Sequence, residues 1–85
     1  MVENSPDPHA SRAPYLRVLE AVAADIREGR LQPGARIPSE AQLCEMHGVA
    51  RETARRAVRV LRERGLVVTE WGKGTYVVDP DEDAN

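Results

Sequence analysis

The sequence predicts a mainly α fold closed by a small β-hairpin, and three observations carry that prediction. Tyr15, Val18, Leu19, Val22, Ala23 and Ile26 recur at i, i+3, i+4 spacing, which puts apolar groups on one face of a helix. A short second helix breaks at His47-Gly48 and is followed by a third with small inner residues. Two β-branched, apolar-rich runs then flank Trp71-Gly72-Lys73-Gly74. Together they describe a winged helix-turn-helix: three helices and a two- to three-stranded antiparallel wing.

Residues 1–14 hold Pro6, Pro8 and Pro14 among Ser and charged residues with almost nothing apolar, the composition of a flexible leader. The folded domain is expected over residues 15–79. Its first helix begins at Tyr15 and ends at Gly29 as a left-handed C-cap, and Gln32-Pro33-Gly34 makes the following turn. Ser39 starts the second helix as an N-cap, and Gln42 three residues on completes a capping box. Pro38 keeps the chain from turning helical earlier. Leu43 and Met46 are expected to supply the buried side of this helix.

Gly48 is free to take positive φ and so to end the second helix after two turns, with Val49 as the apolar anchor of the turn. Ala54, Ala57, Val58 and Leu61 form the inner stripe of the third helix, about Arg51 to Arg64. That stripe turns Arg51, Glu52, Arg55, Arg56, Arg59 and Arg62 outward. Gly65 stops the helix, and Leu66–Glu70 and Thr75–Val78 form a hairpin that can pair with a short strand around Arg36-Ile37. Residues 80–85, Pro-Asp-Glu-Asp-Ala-Asn, are expected to be a disordered acidic tail, and no internal repeat is visible.

Charge argues in two directions. The chain carries 12 Lys+Arg and 14 Asp+Glu, a formal net charge of −2. Six of those acids lie outside the segment from Tyr15 to Val78, which holds 11 basic and 8 acidic residues, a net of +3. The bias peaks between His47 and Gly65, where six arginines face Glu52 and Glu63. The folded part is therefore basic on one side, although an arginine-rich helix face can also be merely solvated.

Eighty-five residues, 41% of them apolar, suffice for one modest core. No apolar run approaches a membrane span and Met1–Ser5 lacks the features of a signal peptide, so the chain is expected to be cytoplasmic, with no membrane partner. Cys44 is the only cysteine and packs in the core in the preferred reading, a reactive thiol being the alternative. His9 and His47 have no ligand-spaced neighbours, and neither a Ser-His-Asp ordering nor a phosphate-binding glycine loop is present. No metal, no cofactor and no enzymatic activity are expected.

The basic elements suit duplex DNA. A helix presented after a tight turn fits the major groove, and Arg51 and Arg55, four apart at its start, can make bidentate bonds to guanine O6 and N7. Arg56 and Arg59 rotate to the flank, toward phosphate, and the Thr53 hydroxyl can reach either. Arg62 and Arg64 lie too far along to touch bases. Glu52 has two available partners, Arg56 at i+4, which is preferred, or a cytosine N4 amino group. Gly72 and Gly74 let the wing approach a minor groove, and Lys73 adds a charge. Trp71 either packs on the core or hairpin, the preferred reading, or touches DNA.

The run Ile26-Arg-Glu-Gly-Arg-Leu-Gln-Pro-Gly-Ala-Arg-Ile-Pro-Ser-Glu40, with Gly48-Val-Ala-Arg51, Thr53-Ala-Arg55, Ala57-Val58, Leu61, Gly65-Leu66 and Gly72-Lys-Gly-Thr-Tyr-Val77, resembles the winged-helix N-terminal domain of GntR-type bacterial transcriptional regulators. The resemblance implies a repressor-like, sequence-specific binder of double-stranded DNA, acting as a homodimer on a palindromic operator. By position it implies DNA contact at Arg36, Ser39, Glu40, Arg51, Thr53, Arg55 and Gly72. Two residues depart from the pattern: Ala50 stands where Ser or Thr is usual, which removes an N-cap hydroxyl, and Glu52 replaces a small or neutral residue. With the chain ending at Asn85, no effector-binding domain and no small-molecule effector site are expected in it. A winged-helix protein-interaction module, or the N-terminal fragment of a larger regulator or aminotransferase-like protein, are the alternatives.

Overall fold

A computed structural model describes residues 13–79. The predicted leader through Arg12, with His9, and the acidic tail from Pro80 lie outside the described residues. The order is α1 (Pro14–Arg27), α2 (Glu40–His47), α3 (Arg51–Glu63), β1 (Val67–Glu70) and β2 (Gly74–Val77).

Helix α1 begins one residue earlier than its apolar pattern suggests. Pro14, grouped with the leader by composition, is its first residue, where the fixed φ is already helical and the missing N–H is not needed. Val18, Leu19 and Val22 are its buried face. Gly29 follows the C-cap at φ 85°, and its N–H closes onto the Ile26 carbonyl at 3.3 Å. Arg30 folds back across this end, with Nε 2.7 Å from Asp25 and Nη1 2.7 Å from Glu28. The hydrogen bond to Asp25 and then that to Glu28 raise its pKa above the ordinary arginine value.

The capping box of α2 is complete: the Gln42 N–H donates to Ser39 Oγ at 3.1 Å and the Ser39 N–H donates to Gln42 Oε1 at 2.8 Å. Gly48 ends the helix at φ 64°, ψ 40°, the left-handed region in which a side chain is disfavoured. Leu43 is fully buried, but Met46 is 62% exposed and does not join it, contrary to the sequence reading. The inward stripe of α2 runs through Leu43 and the half-buried Cys44 and His47. At ~100° per residue that direction leaves Met46 roughly a quarter turn off the core. Cys44 and Val49 pack against the core as partly buried residues.

Helix α3 is the centre of the molecule. Ala54, Ala57, Val58 and Leu61 are its buried face, against which α1, α2 and β1 pack. Two small side chains in that stripe let the neighbouring helix axes come close. Ala50 occupies the N-cap in an extended conformation, φ −73° and ψ 159°, and supplies no side-chain cap bond.

The hairpin pairs Val67 with Val77, Val68 with Tyr76, Thr69 with Thr75 and Glu70 with Gly74. Val67 and Val77 point inward and close the core with Ile37. The turn is tighter than the four residues read from sequence, because Gly74 is already paired. The Lys73 N–H closes it onto the Glu70 carbonyl at 2.9 Å, and Gly72 supplies the positive φ of 80°. The third strand is present as a bridge between Arg36 and Tyr76, flanked by Ile37 N–H to Thr75 carbonyl at 2.9 Å and Val77 N–H to Ala35 carbonyl at 2.8 Å. The wing is thereby fixed to the segment that leads into α2.

Candidate nucleic-acid interface

The N-terminus of α2, the exposed face of α3 and the inner side of the hairpin enclose a groove of about 500 Å³. Arg36, Arg51, Arg55 and Arg62 bring four guanidiniums to its walls, with Glu40, Ser39, Thr69, Trp71, Gly74 and Thr75 between them. Arg51, Arg55 and Arg62 share one face because positions four and seven apart nearly superpose on a helix. Arg36 reaches the groove by lying across Gly74. A Cβ at Gly74 would sit 2.6 Å from Arg36 Nε, and the glycine also holds φ at 136°. The absent side chain is what lets the guanidinium rest there.

Glu40 organises the two leading arginines. Its Oε1 lies 3.6 Å from Arg55 Nε and 3.9 Å from Arg51 Nε. Arg55 is held a second time by Glu52, whose Oε2 accepts from Nη1 at 2.8 Å. This corrects the expected Glu52–Arg56 pair. Arg56 instead lies over the Tyr15 ring, 3.8 Å from its centroid, in a cation–π contact. All these side chains are at least partly in solvent, so the pairs add little stability; what they supply is direction. Ser39 Oγ accepts from Gln42 and keeps its own hydroxyl proton for an outside acceptor.

The predicted site residues divide into three groups. Arg36, Ser39, Glu40, Arg51 and Arg55 line the groove together. Thr53, Arg56 and Arg59 lie on the flank, around a shallow recess with Tyr15 and Glu52, with Arg59 Nε 3.9 Å from Glu63. Gly72 and Lys73 form the exposed wing tip, with Lys73 on the hairpin face away from the groove, near Val68 and Tyr76. Trp71 is 92% exposed and lines the groove, which overturns the preferred reading of core or hairpin packing. At a two-residue offset from Thr69 it has passed the last pair that faces the core.

A family model described as bacterial regulatory proteins, gntR family, matches residues 14–77. The chain belongs to the GntR family. It is 42% identical over 74 residues to the histidine utilization repressor of Klebsiella aerogenes, covering 86% of this chain and 31% of that protein. It is 36% identical over 66 residues to the transcriptional repressor NagR of Bacillus subtilis, covering 78% of this chain and 27% of that one. The crystal structure of the AraR DNA-binding domain in complex with operator ORX1 superposes with a TM-score of 0.78 at 32% identity, over 87% of this chain and 89% of that chain. The chain spans between 24% and 31% of the length of the curated relatives named or matched with them.

Within this GntR-family domain, two roles were not foreseen in the sequence. Arg62 Nη1 donates to Thr69 Oγ1 at 2.9 Å, and Thr69 Oγ1 is 3.0 Å from Thr75 Oγ1, a chain that ties α3 to both strands of the wing. The sequence places Arg62 too far along α3 to touch bases and gives it no other role, yet its seven-residue spacing from Arg55 puts it on the same face. Tyr15, counted only as an apolar position, orients Arg56. Among the described residues, no group of three or more His, Cys, Asp or Glu is arranged to hold a metal ion. No helix among them is long and apolar enough to cross a membrane.

Proposed function

We infer that this domain binds double-stranded DNA sequence-specifically and serves as the DNA reader of a repressor-like transcriptional regulator. The observation that carries this reading is the groove itself, where Arg51 and Arg55 leave the first turns of α3 side by side, steadied by Glu40 and flanked by a wing braced through Arg62. A guanidinium fixed on the exposed face of a helix that can enter a major groove can recognise one guanine bidentately through O6 and N7, so Arg51 and Arg55 can read two. Arg36 and the Ser39 hydroxyl on one side, and Thr53, Arg56 and Arg59 on the other, are disposed to take phosphates of the two flanking strands, while Gly72 and Lys73 reach toward the adjacent minor groove. The operator-bound AraR domain of the same fold supports the reading.

The domain acts by binding and not by catalysis, in the bacterial cytoplasm where the chromosome lies. Two copies on a palindrome would set two α3 helices about one helical turn of DNA apart. Selection of bound duplexes from a random pool tests this. Enrichment of an inverted repeat with guanines in each half-site is the expected result, and a pool that stays random after repeated rounds at low salt would overturn the reading.

A further inference from the structure

Glu52 is the only acid among residues 51–58, the first two turns of α3, and its side chain is 82% exposed. Its direction follows from the helix. At ~100° per residue, the buried stripe of Ala54, Ala57, Val58 and Leu61 centres almost opposite Glu52. The carboxylate therefore leaves α3 along the line by which this face enters a major groove. Arg51 and Arg55 fall to one side of that line and Arg56 to the other.

Its bonding leaves one oxygen for an outside partner. Arg56 lies over Tyr15, so Glu52 Oε2 accepts instead from Arg55 Nη1 at 2.8 Å, and Oε1 is left to accept from elsewhere. An ionised carboxylate accepts hydrogen bonds and donates none. On the floor of a major groove it is repelled by guanine O6 and N7, thymine O4 and adenine N7. Only two donors face it there, the amino groups of cytosine N4 and adenine N6. Adenine sets N7 directly beside its amino group, whereas cytosine sets an apolar C5–H there, so cytosine is the better match.

We propose that Glu52 is a base-reading residue of α3, its Oε1 accepting from the N4 amino group of a cytosine in the base pair next to the guanine read by Arg55. Glu52 precedes Arg55 by three residues, ~4.5 Å of helix rise, against ~3.4 Å for one base step, which sets the two side chains on neighbouring pairs. The inference rests on the DNA-binding reading above and adds a base that the arginines do not determine. A carboxylate near phosphate weakens binding to DNA at large, and the cytosine amino group offsets that loss at the correct site alone.

The test is selection of bound duplexes from a random pool with the parent, E52A, E52Q and R55A chains, each verified by circular dichroism, followed by affinities on the selected operator. In the parent motif a cytosine should adjoin the guanine whose preference R55A abolishes. E52A should lose the preference at that cytosine alone, and should bind random duplex roughly threefold more tightly as a negative charge is removed. E52Q should move the position toward adenine, whose N6 and N7 match a side-chain amide. N4-methylcytosine at the position keeps its pairing with guanine but blocks the outward N4–H. It should weaken the parent roughly tenfold and leave E52A unchanged.

Erasure of the guanine preference by E52A would make Glu52 a positioning residue for Arg55 and overturn the proposal. Equal effects of N4-methylcytosine on the parent and on E52A would overturn it too, as would adenine, or no preferred base, beside that guanine in the parent motif. Each of these outcomes leaves DNA binding itself standing. A parent chain that selects no motif and binds no duplex at low salt would overturn both readings.

Discussion

Glu40 Oε1 on α2 lies 3.6 Å from Arg55 Nε on α3. A carboxylate inside a basic groove weakens attraction to phosphate in general, yet it fixes the direction of the guanidinium it pairs with, and Arg51 is within reach of the same oxygen at 3.9 Å. Glu40 should thus favour the correct site over the rest of the DNA. Glu40→Gln is expected to raise affinity for random duplex and lower it for the operator, so that their ratio falls roughly tenfold. Competition binding at constant ionic strength measures the ratio, and an unchanged value would remove Glu40 from any role in discrimination.

The Arg62–Thr69 contact makes the wing an extension of α3. Both partners are accessible to solvent, so Arg62→Ala should change unfolding stability by no more than about 0.5 kcal/mol. Operator affinity should nevertheless drop by roughly three- to tenfold as the wing loses its brace. Thermal melts and binding isotherms on the same preparation separate the two effects. A large fall in melting temperature would assign Arg62 to stability instead.

Ala50 sits at the N-cap of α3 with cap-compatible backbone angles and no side-chain acceptor. Ala50→Ser should therefore stabilise the domain by about 1 kcal/mol, by giving the first turn a hydroxyl to accept one of its unsatisfied N–H groups. Denaturant titration should show a higher midpoint at constant slope; an unchanged or lower midpoint would contradict the capping argument.

Leu43 and Met46 provide a paired check on the packing of α2. Leu43→Ala removes a fully buried side chain and should cost about 2–5 kcal/mol, whereas Met46→Ala should stay within about 0.5 kcal/mol. Comparable losses from both would mean that Met46 reaches the core after all.

Much of this arrangement was legible in the sequence because it is locally encoded. The capping box at Ser39, the left-handed Gly48, the stripe of α3 and the β-branched runs each depend on a few neighbouring residues and a fixed periodicity. What was misread depends on contacts distant in sequence. Met46 and Cys44 compete for the inward side of a two-turn helix, and the position of α3 decides between them. Arg56 is claimed by Tyr15, so Glu52 turns to Arg55. Trp71 follows the last paired residue of β1, and its exposure is set by how tightly the turn closes. Arg51 and Arg55 are legible from their spacing alone, but the carboxylate that aligns them comes from another helix.

The central claim is that Arg51 and Arg55 read base edges from α3. Affinity of the Arg51→Ala, Arg55→Ala double variant for a selected operator and for random duplex, with the fold verified by circular dichroism, tests it most directly. Two guanine contacts at about 1–3 kcal/mol each predict an operator loss of at least roughly 30-fold, against a much smaller loss on random duplex. A folded double variant that holds the operator as tightly as the parent would contradict the account.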